Sequence, residues 1–360
     1  MDPAVAELPE TAELLMRAAG VPREAVESPE QVFRLAELSP DPEGEAKRVL
    51  YLTRNRGAFV KPCPGTRNYL CCGYQILHVG SFCSMDCSYC ILQTYFHPPV
   101  LSLFMNHRDL FSELTRVFAD KPDNVRRLGT GEFTDSLLFE DICDLTPRLV
   151  SAFGTQDHAM LELKTKTVNI SRLEGLPHGR KTVVAFSMNT ERVIAENERR
   201  TAPLAARLAA AARVQEWGYP LAFHFDPLVF YPGCEAEYAG VMDSIAKLVR
   251  PGNLSWISLG SFRFPPQLKT VIERRFPGSS ITCSEYLPGV DNKMRLFKPM
   301  RQRLFQELAG RLARMVDGLV YFCMEDEAVW KNALGFSPEE KGGLSGMLDR
   351  AAREVCGLRG

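Results

Sequence analysis

The middle of this chain alternates between short β-prone runs and longer helix-prone stretches, and this alternation limits its fold more than any other feature. Six runs rich in Val, Leu, Ile, Phe and Thr recur, and helix-prone stretches separate most of them. Such a pattern favours a parallel sheet with right-handed crossovers. Because a closed barrel of this kind has eight units, six units predict an α/β fold with a partial (β/α)6, TIM-like barrel and functional residues at the carboxyl ends of its strands. The predicted strands are residues 74–79, 125–131, 160–166, 182–187, 221–226 and 254–259.

The stretches on either side of the partial barrel have a different pattern and predict mainly helical extensions. Residues 1–56 are acidic and interrupted by prolines, and they contain two short helix-prone segments, the first capped by Thr11 and the second beginning at Ser28 as its N-cap. Residues 276–360 combine helices with one β-prone run at 318–323. We therefore predict an N-terminal helical extension, a partial barrel over residues 57–275, and a C-terminal α/β extension that closes the barrel.

A loop directly after the first predicted strand carries three closely spaced cysteines. Cys83, Cys87 and Cys90 form a Cys-x3-Cys-x2-Cys pattern. Thiolates are soft ligands for zinc or iron–sulfur clusters, and a structural zinc site or an electron-transfer cluster takes four ligands. This loop offers three, which favours a cubane cluster whose remaining iron is open to bind and activate a ligand. The alternatives are three structural cysteines in a turn, or a non-catalytic iron–sulfur or zinc protein with a fourth ligand from elsewhere.

Charge and cysteine usage limit the class of protein further. The formal net charge is −1, so the basic excess of a duplex-DNA binder is absent, although a local patch can hide in a neutral total. The eleven cysteines are odd in number and scattered, unlike a secreted disulfide framework. The N-terminus lacks a signal-peptide pattern, and no apolar run approaches the ~18 residues of a membrane helix. We expect a cytoplasmic protein with no membrane association, and nucleic acid stays open as a partner that net charge does not support.

The end of the second predicted strand carries a candidate ligand-binding element. Residues 129–132 read Gly-Thr-Gly-Glu, and glycines allow a backbone to approach a ligand closely. The Glu132 carboxylate can accept hydrogen bonds from an ammonium group. Thr134 and Asp135 follow directly and are further candidates for a cofactor contact. A simple turn is the alternative interpretation of this segment.

Polar residues also occur in the next three predicted strands. Lys164 and Lys166 lie two residues apart and therefore share one face, where a buried ammonium needs an anionic partner unless it lies at the rim of the sheet. Ser187 ends the fourth strand and is a candidate ribose or carboxylate contact. His224 and Asp226 are likewise two apart in an apolar strand, which makes them candidates for substrate hydrogen bonding or proton transfer.

Taken together, these segments resemble the spore photoproduct lyase branch of the radical SAM superfamily. The resemblance extends over about residues 58–301, and its segments occur in the family's order and at similar spacing. In that superfamily a 4Fe–4S cluster with an open iron binds S-adenosylmethionine and cleaves it reductively to a 5′-deoxyadenosyl radical. The partial barrel would then be of the radical SAM type. The matching segments are Cys83-x3-Cys87-x-Tyr89-Cys90-x-Leu92-Gln93-Thr94, Thr165-Lys166, Phe186-Ser187-x-Asn189, residues 218–221 (Gly-Tyr-Pro-Leu) and Arg263-Phe264.

The resemblance implies specific roles for the residues at the strand ends. Cys83, Cys87 and Cys90 would hold the 4Fe–4S cluster. Glu132 resembles the element that many radical SAM enzymes use to hold the methionine amino group. Such a cluster must be reduced, so the resemblance also implies an electron donor such as flavodoxin or ferredoxin. The residues predicted to contact the cluster-bound S-adenosylmethionine are Tyr89, Glu132, Thr134, Asp135, Lys166 and Ser187.

Two departures from the lyase pattern bear on the reaction. In the lyase, the radical abstracts hydrogen from a thymine dimer in spore DNA, and the dimer then splits. The lyase has a hydrogen-donating cysteine where this chain has Glu132, and a tyrosine where it has Ile91. A thiol can quench a substrate radical, whereas a carboxylate cannot readily do so. We therefore predict a radical SAM enzyme that abstracts hydrogen from another, unidentified substrate; the alternative is lesion repair with a different hydrogen donor.

Polar residues are the candidates for contacting the substrate, and cysteines at other positions are the candidates for donating hydrogen to it. His224 and Asp226 replace apolar residues of the lyase pattern and predict a more polar pocket. Arg263, Arg295 and Cys234 are further candidate substrate residues. Cys143, Cys234 and Cys283 are alternative hydrogen donors, although packing also explains each of these cysteines. The cysteines before the first strand are predicted to be structural, with a second metal site as the alternative: Cys63, Cys71 and Cys72.

Overall fold

An open, curled sheet of eight strands forms the centre of the computed structural model, which describes residues 1–66, 68–120 and 125–359. Three smaller sheets of two or three strands lie around it. The strands are β1 (Tyr51–Thr53), β2 (Val60–Pro62), β3 (Gln75–Leu77), β4 (Gly80–Ser81), β5 (Asp86–Cys87), β6 (Ser102–Phe104), β7 (Arg126–Gly129), β8 (Ala159–Thr165), β9 (Thr182–Ser187), β10 (Glu198–Arg199), β11 (Leu221–Leu228), β12 (Leu254–Ser261), β13 (Arg263–Phe264), β14 (Tyr286–Pro288), β15 (Met294–Leu296) and β16 (Leu319–Phe322).

Helices connect the strands and extend the chain at both ends. Short 3-10 helices occur at Pro3–Val5, Ser171–Leu173 and Pro338–Lys341. The α-helices are α1 (Pro9–Arg17), α2 (Pro29–Ala36), α3 (Pro42–Ala46), α4 (Leu92–Tyr95), α5 (His107–Ala119), α6 (Leu145–Gly154), α7 (Glu191–Asn197), α8 (Leu204–Glu216), α9 (Cys234–Leu248), α10 (Pro266–Arg275), α11 (Lys298–Leu312), α12 (Glu327–Leu334) and α13 (Gly343–Cys356).

The large sheet confirms the predicted partial barrel. Its strand order is β16-β12-β11-β9-β8-β7-β3-β2, and all neighbours are parallel except the antiparallel pair of β2 and β3. All six strands predicted from the sequence lie in this sheet. The β-prone run at 318–323 also forms a strand, but β16 pairs with β12 and extends the barrel sheet itself.

The inner strands are buried on both faces, as parallel strands covered by helices should be. Every residue of β9 and β12 is buried, including the three serines of β12. The terminal helix α13 contacts β7 as well as β12 and β16, so it reaches strands from both sides of the open barrel. A buried ion pair between Arg127 and Asp349, at 2.7 Å, attaches this helix to β7.

Two predicted helix boundaries are wrong for identifiable reasons. The sequence of residues 137–153 is helix-prone and predicts a helix from residue 137, but residues 137–142 form turns and α6 begins at Leu145. Pro147 lies in the first turn of α6, where a proline is tolerated, and so the helix begins just before it. Thr11 was expected to cap the first helix; instead Pro9 occupies the first helical position, while Ser28 caps α2 as predicted.

Two further observations concern the cysteines and the lengths of the helices. All eleven cysteines are free thiols, so the structure contains no disulfide framework. No helix in residues 1–66, 68–120 or 125–359 is both long and apolar enough to cross a membrane.

Candidate functional site

The three predicted cluster ligands lie at the carboxyl end of the barrel, on the wall of a cavity of about 480 Å³. We call this space the outer cavity. Cys87 lies in β5, which pairs with β10 so that Cys87 is opposite Glu198, whereas Cys83 and Cys90 lie in the adjoining turns. The loop therefore presents all three thiols to the same space.

Buried hydrogen bonds from outside the barrel fix the cysteine loop. The Lys47 ammonium, in the N-terminal extension, donates to the Met85 carbonyl at 2.5 Å and lies 2.9 Å from the Asp86 carboxylate. The Gln93 side chain donates to the Ser88 carbonyl at 3.0 Å. The N-terminal extension, for which the sequence suggested only packing, thus helps to hold the loop in shape.

The three thiols of the cysteine loop suit the ligands of an iron–sulfur cluster. Burial, reinforced by the nearby Asp135 carboxylate, raises the pKa of Cys83 to about 12, and burial also raises that of Cys87. Bound cations deprotonate such thiols outright. In the described part of the chain, no three His, Cys, Asp or Glu side chains converge as ligands of one metal ion. Three thiols from one short loop on the wall of one cavity fit a cluster that takes three ligands from this loop.

Tyr89 is fixed on the cavity wall by a buried ion pair. Its hydroxyl donates a short hydrogen bond to Glu198, and Arg207 donates to the other oxygen of Glu198 at 2.5 Å. Burial would raise the pKa of Glu198, but Lys166 and Arg207 overcome this effect and lower it. The Lys166 ammonium lies 5.8 Å from the centre of the Tyr89 ring. Within the described residues it has no hydrogen-bonded carboxylate, so it can receive an anionic group of a ligand.

Asp135 lines the outer cavity, but its carboxylate is used to hold the loop after β7. One oxygen accepts from the Leu137 amide at 3.0 Å and the Thr165 hydroxyl at 2.8 Å, and the other accepts from the Lys166 amide at 2.8 Å. Thr134 differs, because its buried hydroxyl has no hydrogen-bond partner among the described residues. A ligand in the cavity is the natural partner for this hydroxyl.

Glu132 forms an ion pair at 3.2 Å with Lys164, and both residues line the outer cavity. Burial lowers the pKa of Lys164, but Glu132 and its other anionic neighbours reverse this and raise it overall. The glycines before Glu132 are required by close neighbours within the protein. A Cβ at Gly131 would lie 2.6 Å from Lys164 Cβ, and one at Gly129 would overlap the hydroxyl of Tyr74.

His224 and Asp226 both reach the outer cavity, but they do not form a pair with each other. His224 Nε2 lies 2.8 Å from Glu162, whereas Asp226 accepts two hydrogen bonds of 3.3 Å from Arg263. Burial would raise the pKa of Asp226, but Arg263 lowers it. The pocket is therefore polar, as the sequence predicts, and its polar groups form two separate pairs.

A second, smaller cavity of about 90 Å³ adjoins the first and lies deeper in the barrel. We call it the inner cavity. The two cavities share part of their walls. The residues that line both of them include Glu132, Lys164, His224, Asp226 and Arg263. The inner cavity is also lined by four cysteines, of which three were predicted to be structural and the fourth was not considered: Cys63, Cys71, Cys72 and Cys323.

Two predicted substrate residues do not line either cavity. Cys234 is buried in the apolar core at the start of α9. Arg295 forms a buried ion pair with Asp291 at 2.8 Å and stacks on Tyr69, with 3.8 Å between the guanidinium carbon and the ring centre. The alternative hydrogen donors are also elsewhere, since Cys143 is buried in the core and Cys283 is exposed.

Glu162 and Cys323 are the site residues that sequence reasoning missed. Glu162 belongs to the same alternating face of β8 as Lys164 and Lys166, so the period of two in this strand was a readable signal. Cys323 follows β16, and only the pairing of β16 with β12 brings it to the barrel interior. No local pattern indicates that position.

A parallel partial barrel with a three-cysteine loop at the carboxyl ends of its strands defines a protein of the radical SAM class. The family profile described as spore photoproduct lyase matches residues 72–288, more than half of the chain. The chain therefore belongs to the spore photoproduct lyase family.

Curated relatives and solved structures are similar to this chain over different lengths. It is 27% identical over 206 residues to a spore photoproduct lyase of Geobacillus, covering 56% of this chain and 60% of the relative. It is 24% identical over 255 residues to that of Clostridium acetobutylicum, covering 71% and 72%. The match thus spans less than two thirds of the Geobacillus protein.

The solved structures establish the shared fold. A spore photoproduct lyase complexed with dinucleoside spore photoproduct superimposes with a TM-score of 0.78 at 23% identity, covering 89% of this chain and 97% of that chain. A mutant lyase with bound AdoMet and the same dinucleoside gives a TM-score of 0.78 at 22% identity.

Proposed function

We propose that this protein is a radical SAM enzyme that abstracts hydrogen from a substrate other than the spore DNA lesion. One observation carries the proposal. Three thiols share the outer cavity with an ammonium that lacks a bound carboxylate and with a Glu132–Lys164 ion pair, where the resemblance implies a donor thiol in the lyase. The site can thus hold the cofactors that generate a radical, but it lacks the thiol in the lyase's position.

The chain's own residues suit the two proposed cofactors. Cys83, Cys87 and Cys90 would hold a 4Fe–4S cluster, which when bound supplies the electron that cleaves S-adenosylmethionine to a 5′-deoxyadenosyl radical. Lys166 can pair with a carboxylate of the bound cofactor. The Thr134 hydroxyl gains the partner that it lacks in the protein.

The inner wall of the outer cavity is the proposed substrate side. Asp226 and Arg263 present a buried, hydrogen-bonded ion pair, and His224 lies beside them on the same strand as Asp226. Lys293 also lines the outer cavity, and its ammonium donates only to the Thr66 hydroxyl, at 2.8 Å, among the described residues. This wall suits a polar substrate with at least one anionic group.

Partners and location follow from the proposed chemistry. An electron donor such as flavodoxin or ferredoxin would reduce the cluster. A reducing cytoplasm suits eleven free cysteines. Nucleic acid would be a partner only if the protein repairs DNA, which is the second candidate function.

Anaerobic reconstitution tests the leading proposal. The reconstituted wild-type protein should show a 4Fe–4S spectrum and, on reduction, convert S-adenosylmethionine to 5′-deoxyadenosine. A protein with full cluster occupancy that yields no 5′-deoxyadenosine would refute it.

A second candidate function is repair of a DNA photoproduct with a relocated hydrogen donor. The observation that favours it is the position of Cys323, which lines the inner cavity with its sulfur 3.5 Å from Arg263 Nη2. Burial raises the pKa of Cys323, so the sulfur keeps the hydrogen that a donor must deliver.

Turnover of dinucleoside spore photoproduct discriminates between the two functions. Repair by the wild-type protein that is lost in Cys323→Ala would support the second function. Cys234→Ala is the matched control, because Cys234 is buried outside both cavities. An unchanged dinucleoside, in a preparation that cleaves S-adenosylmethionine, excludes the second function and leaves the first.

A further inference from the structure

Glu162 is the centre of a buried hydrogen-bond network beneath the outer cavity. Its side chain is 4% exposed, and one oxygen, Oε1, lies 2.8 Å from His224 Nε2 and 3.1 Å from Trp256 Nε1. The three residues come from β8, β11 and β12. A contact of this kind between two rings and one carboxylate oxygen restricts where the protons can be.

The Trp256 contact and the ionised state of Glu162 together determine the direction of the His224 hydrogen bond. An indole N–H can only donate, so Glu162 Oε1 accepts from Trp256. Burial would raise the pKa of Glu162, but His224 and Lys164 hold it below its usual value, so the carboxylate is ionised. An ionised carboxylate has no proton to give, and His224 Nε2 must therefore carry the hydrogen. In the neutral imidazole, the lone pair is then on Nδ1.

The other ring nitrogen of His224, Nδ1, takes no part in this network. Nδ1 has no hydrogen-bond partner among the described residues, and His224 lines both cavities. The charged groups that line both cavities are already in pairs, namely Glu132 with Lys164 and Asp226 with Arg263. Lys166 and Lys293 line the outer cavity alone, and their ammonium groups have no lone pair. His224 is thus the basic group of this wall that has an unused lone pair.

A proton acceptor has a defined use next to a carbon radical. An O–H or N–H group on a radical carbon is more acidic than in the closed-shell parent, because the anion formed can delocalise the unpaired electron. The proton would pass to Nδ1, giving an imidazolium whose Nε2–H stays bonded to Glu162. No oxidant or reductant takes part in this transfer.

We propose that His224 accepts a proton from the substrate through Nδ1, that Glu162 and Trp256 are positioning residues that fix its tautomer, and that the substrate carries an acidic O–H or N–H group beside the carbon that loses hydrogen. The inference deepens the radical SAM function proposed above and rests on it for the substrate. The tautomer itself does not depend on that function.

Imidazole NMR of the anaerobic, cluster-loaded protein tests the tautomer. With ¹⁵N-labelled histidine and an oxidised cluster, whose ground state is spin-paired, long-range ¹H–¹⁵N spectra should show His224 with hydrogen on Nε2 and none on Nδ1. Comparison with His224→Gln assigns the signal among six histidines. Glu162→Leu, which removes the acceptor, should lose this bias and populate both tautomers.

A control variant at another buried carboxyl and a chemical probe complete the test. Glu140→Gln changes another buried carboxyl that lines neither cavity, and it should leave the His224 signal unchanged. Diethyl pyrocarbonate, which acylates unprotonated imidazole nitrogen, should label His224 in the wild-type protein. Hydrogen on Nδ1, or no labelling of His224, overturns the inference.

5′-Deoxyadenosine measured in the same preparation separates this inference from the proposed function. Cofactor cleavage with the wrong tautomer contradicts the inference alone. The predicted tautomer without cofactor cleavage supports the network but contradicts the radical function.

Discussion

At the outer cavity the cysteine loop is held largely through backbone atoms, whereas at the inner cavity charged side chains from neighbouring strands hold one another. Lys47 and Gln93 bind carbonyl groups of the loop, and Asp135 binds amides that follow it in the barrel. Around the inner cavity the pairs are Glu162 with His224 and Asp226 with Arg263. Hydrogen bonds to backbone atoms do not depend on which side chain a residue carries. Substitutions in the cysteine loop can therefore leave its shape, and the cofactor site that it forms, unchanged. Side-chain pairs depend on both residues, so the inner end is the place where specificity can differ between relatives.

The largest expected effect concerns the thiols of the outer cavity. Cys87→Ala should abolish cluster assembly and reduce 5′-deoxyadenosine formation below detection, because two thiolates remain for a cluster that needs three from the loop. Iron content and absorption spectra measure the loss. Cys283→Ala is the control, since Cys283 is exposed and lies outside both cavities. Equal loss in both variants would contradict the assignment.

The second prediction concerns the buried ion pair behind Tyr89. Arg207→Met leaves Glu198 buried without its strongest hydrogen-bond partner and should lower the free energy of unfolding by about 3–5 kcal/mol. Denaturant unfolding measures the effect. Arg213→Met, on the same helix but in exposed ion pairs, should change it by less than about 1 kcal/mol. Similar effects of the two changes would show that burial of the pair matters little.

A pH-dependent prediction uses Glu140, a buried carboxyl that contrasts with the paired ones of the inner cavity. Burial raises its pKa from 4.5 to about 7, so the folded state binds a proton that the unfolded state releases. This contribution to stability is complete below pH 4.5 and disappears as the pH rises to 7. Glu140→Gln should therefore gain stability relative to wild type over this range, by about 2–3 kcal/mol.

Unfolding free energies at a series of pH values check this prediction. Glu339→Gln, at an exposed position, is the control and should follow the wild-type curve. A difference between Glu140→Gln and wild type that stays constant from pH 4.5 to 7 would contradict the raised pKa.

The smallest effect concerns the unpartnered hydroxyl of Thr134. Thr134→Val should leave the free energy of unfolding nearly unchanged, because the hydroxyl makes no hydrogen bond in the protein. It should weaken S-adenosylmethionine binding by about 2- to 10-fold, the usual net value of one hydrogen bond. Thr130→Val is the control, because the Thr130 hydroxyl bonds Ser136 at 2.8 Å. That control should lose stability but keep the binding affinity, and the reverse result would contradict the assignment.

The outer end of the site could be predicted from the sequence because its information is local. The cysteine spacing lies within eight residues, and the six barrel strands are apolar, β-prone runs whose type is visible without the fold. Even there, the sequence does not indicate that the glycines before Glu132 have Lys164 and Tyr74 as close neighbours.

The inner end could not be predicted because its contacts join distant parts of the chain. Glu162 and His224 are 62 residues apart, and Arg263 and Cys323 are 60 apart. Only the order and register of the parallel strands bring these residues together, and neither is encoded in a local pattern. Arg295 shows the converse case, because a basic residue near the predicted site pairs with Asp291, four residues earlier, and faces away from both cavities.

Electron paramagnetic resonance of the reduced, reconstituted protein tests the central claim most directly. The claim is that Cys83, Cys87 and Cys90 hold a 4Fe–4S cluster whose fourth iron is open. Addition of S-adenosylmethionine should then change the g-values of the cluster signal. A fully loaded cluster whose spectrum stays the same with saturating S-adenosylmethionine would mean that the fourth iron is closed, and it would contradict the claim.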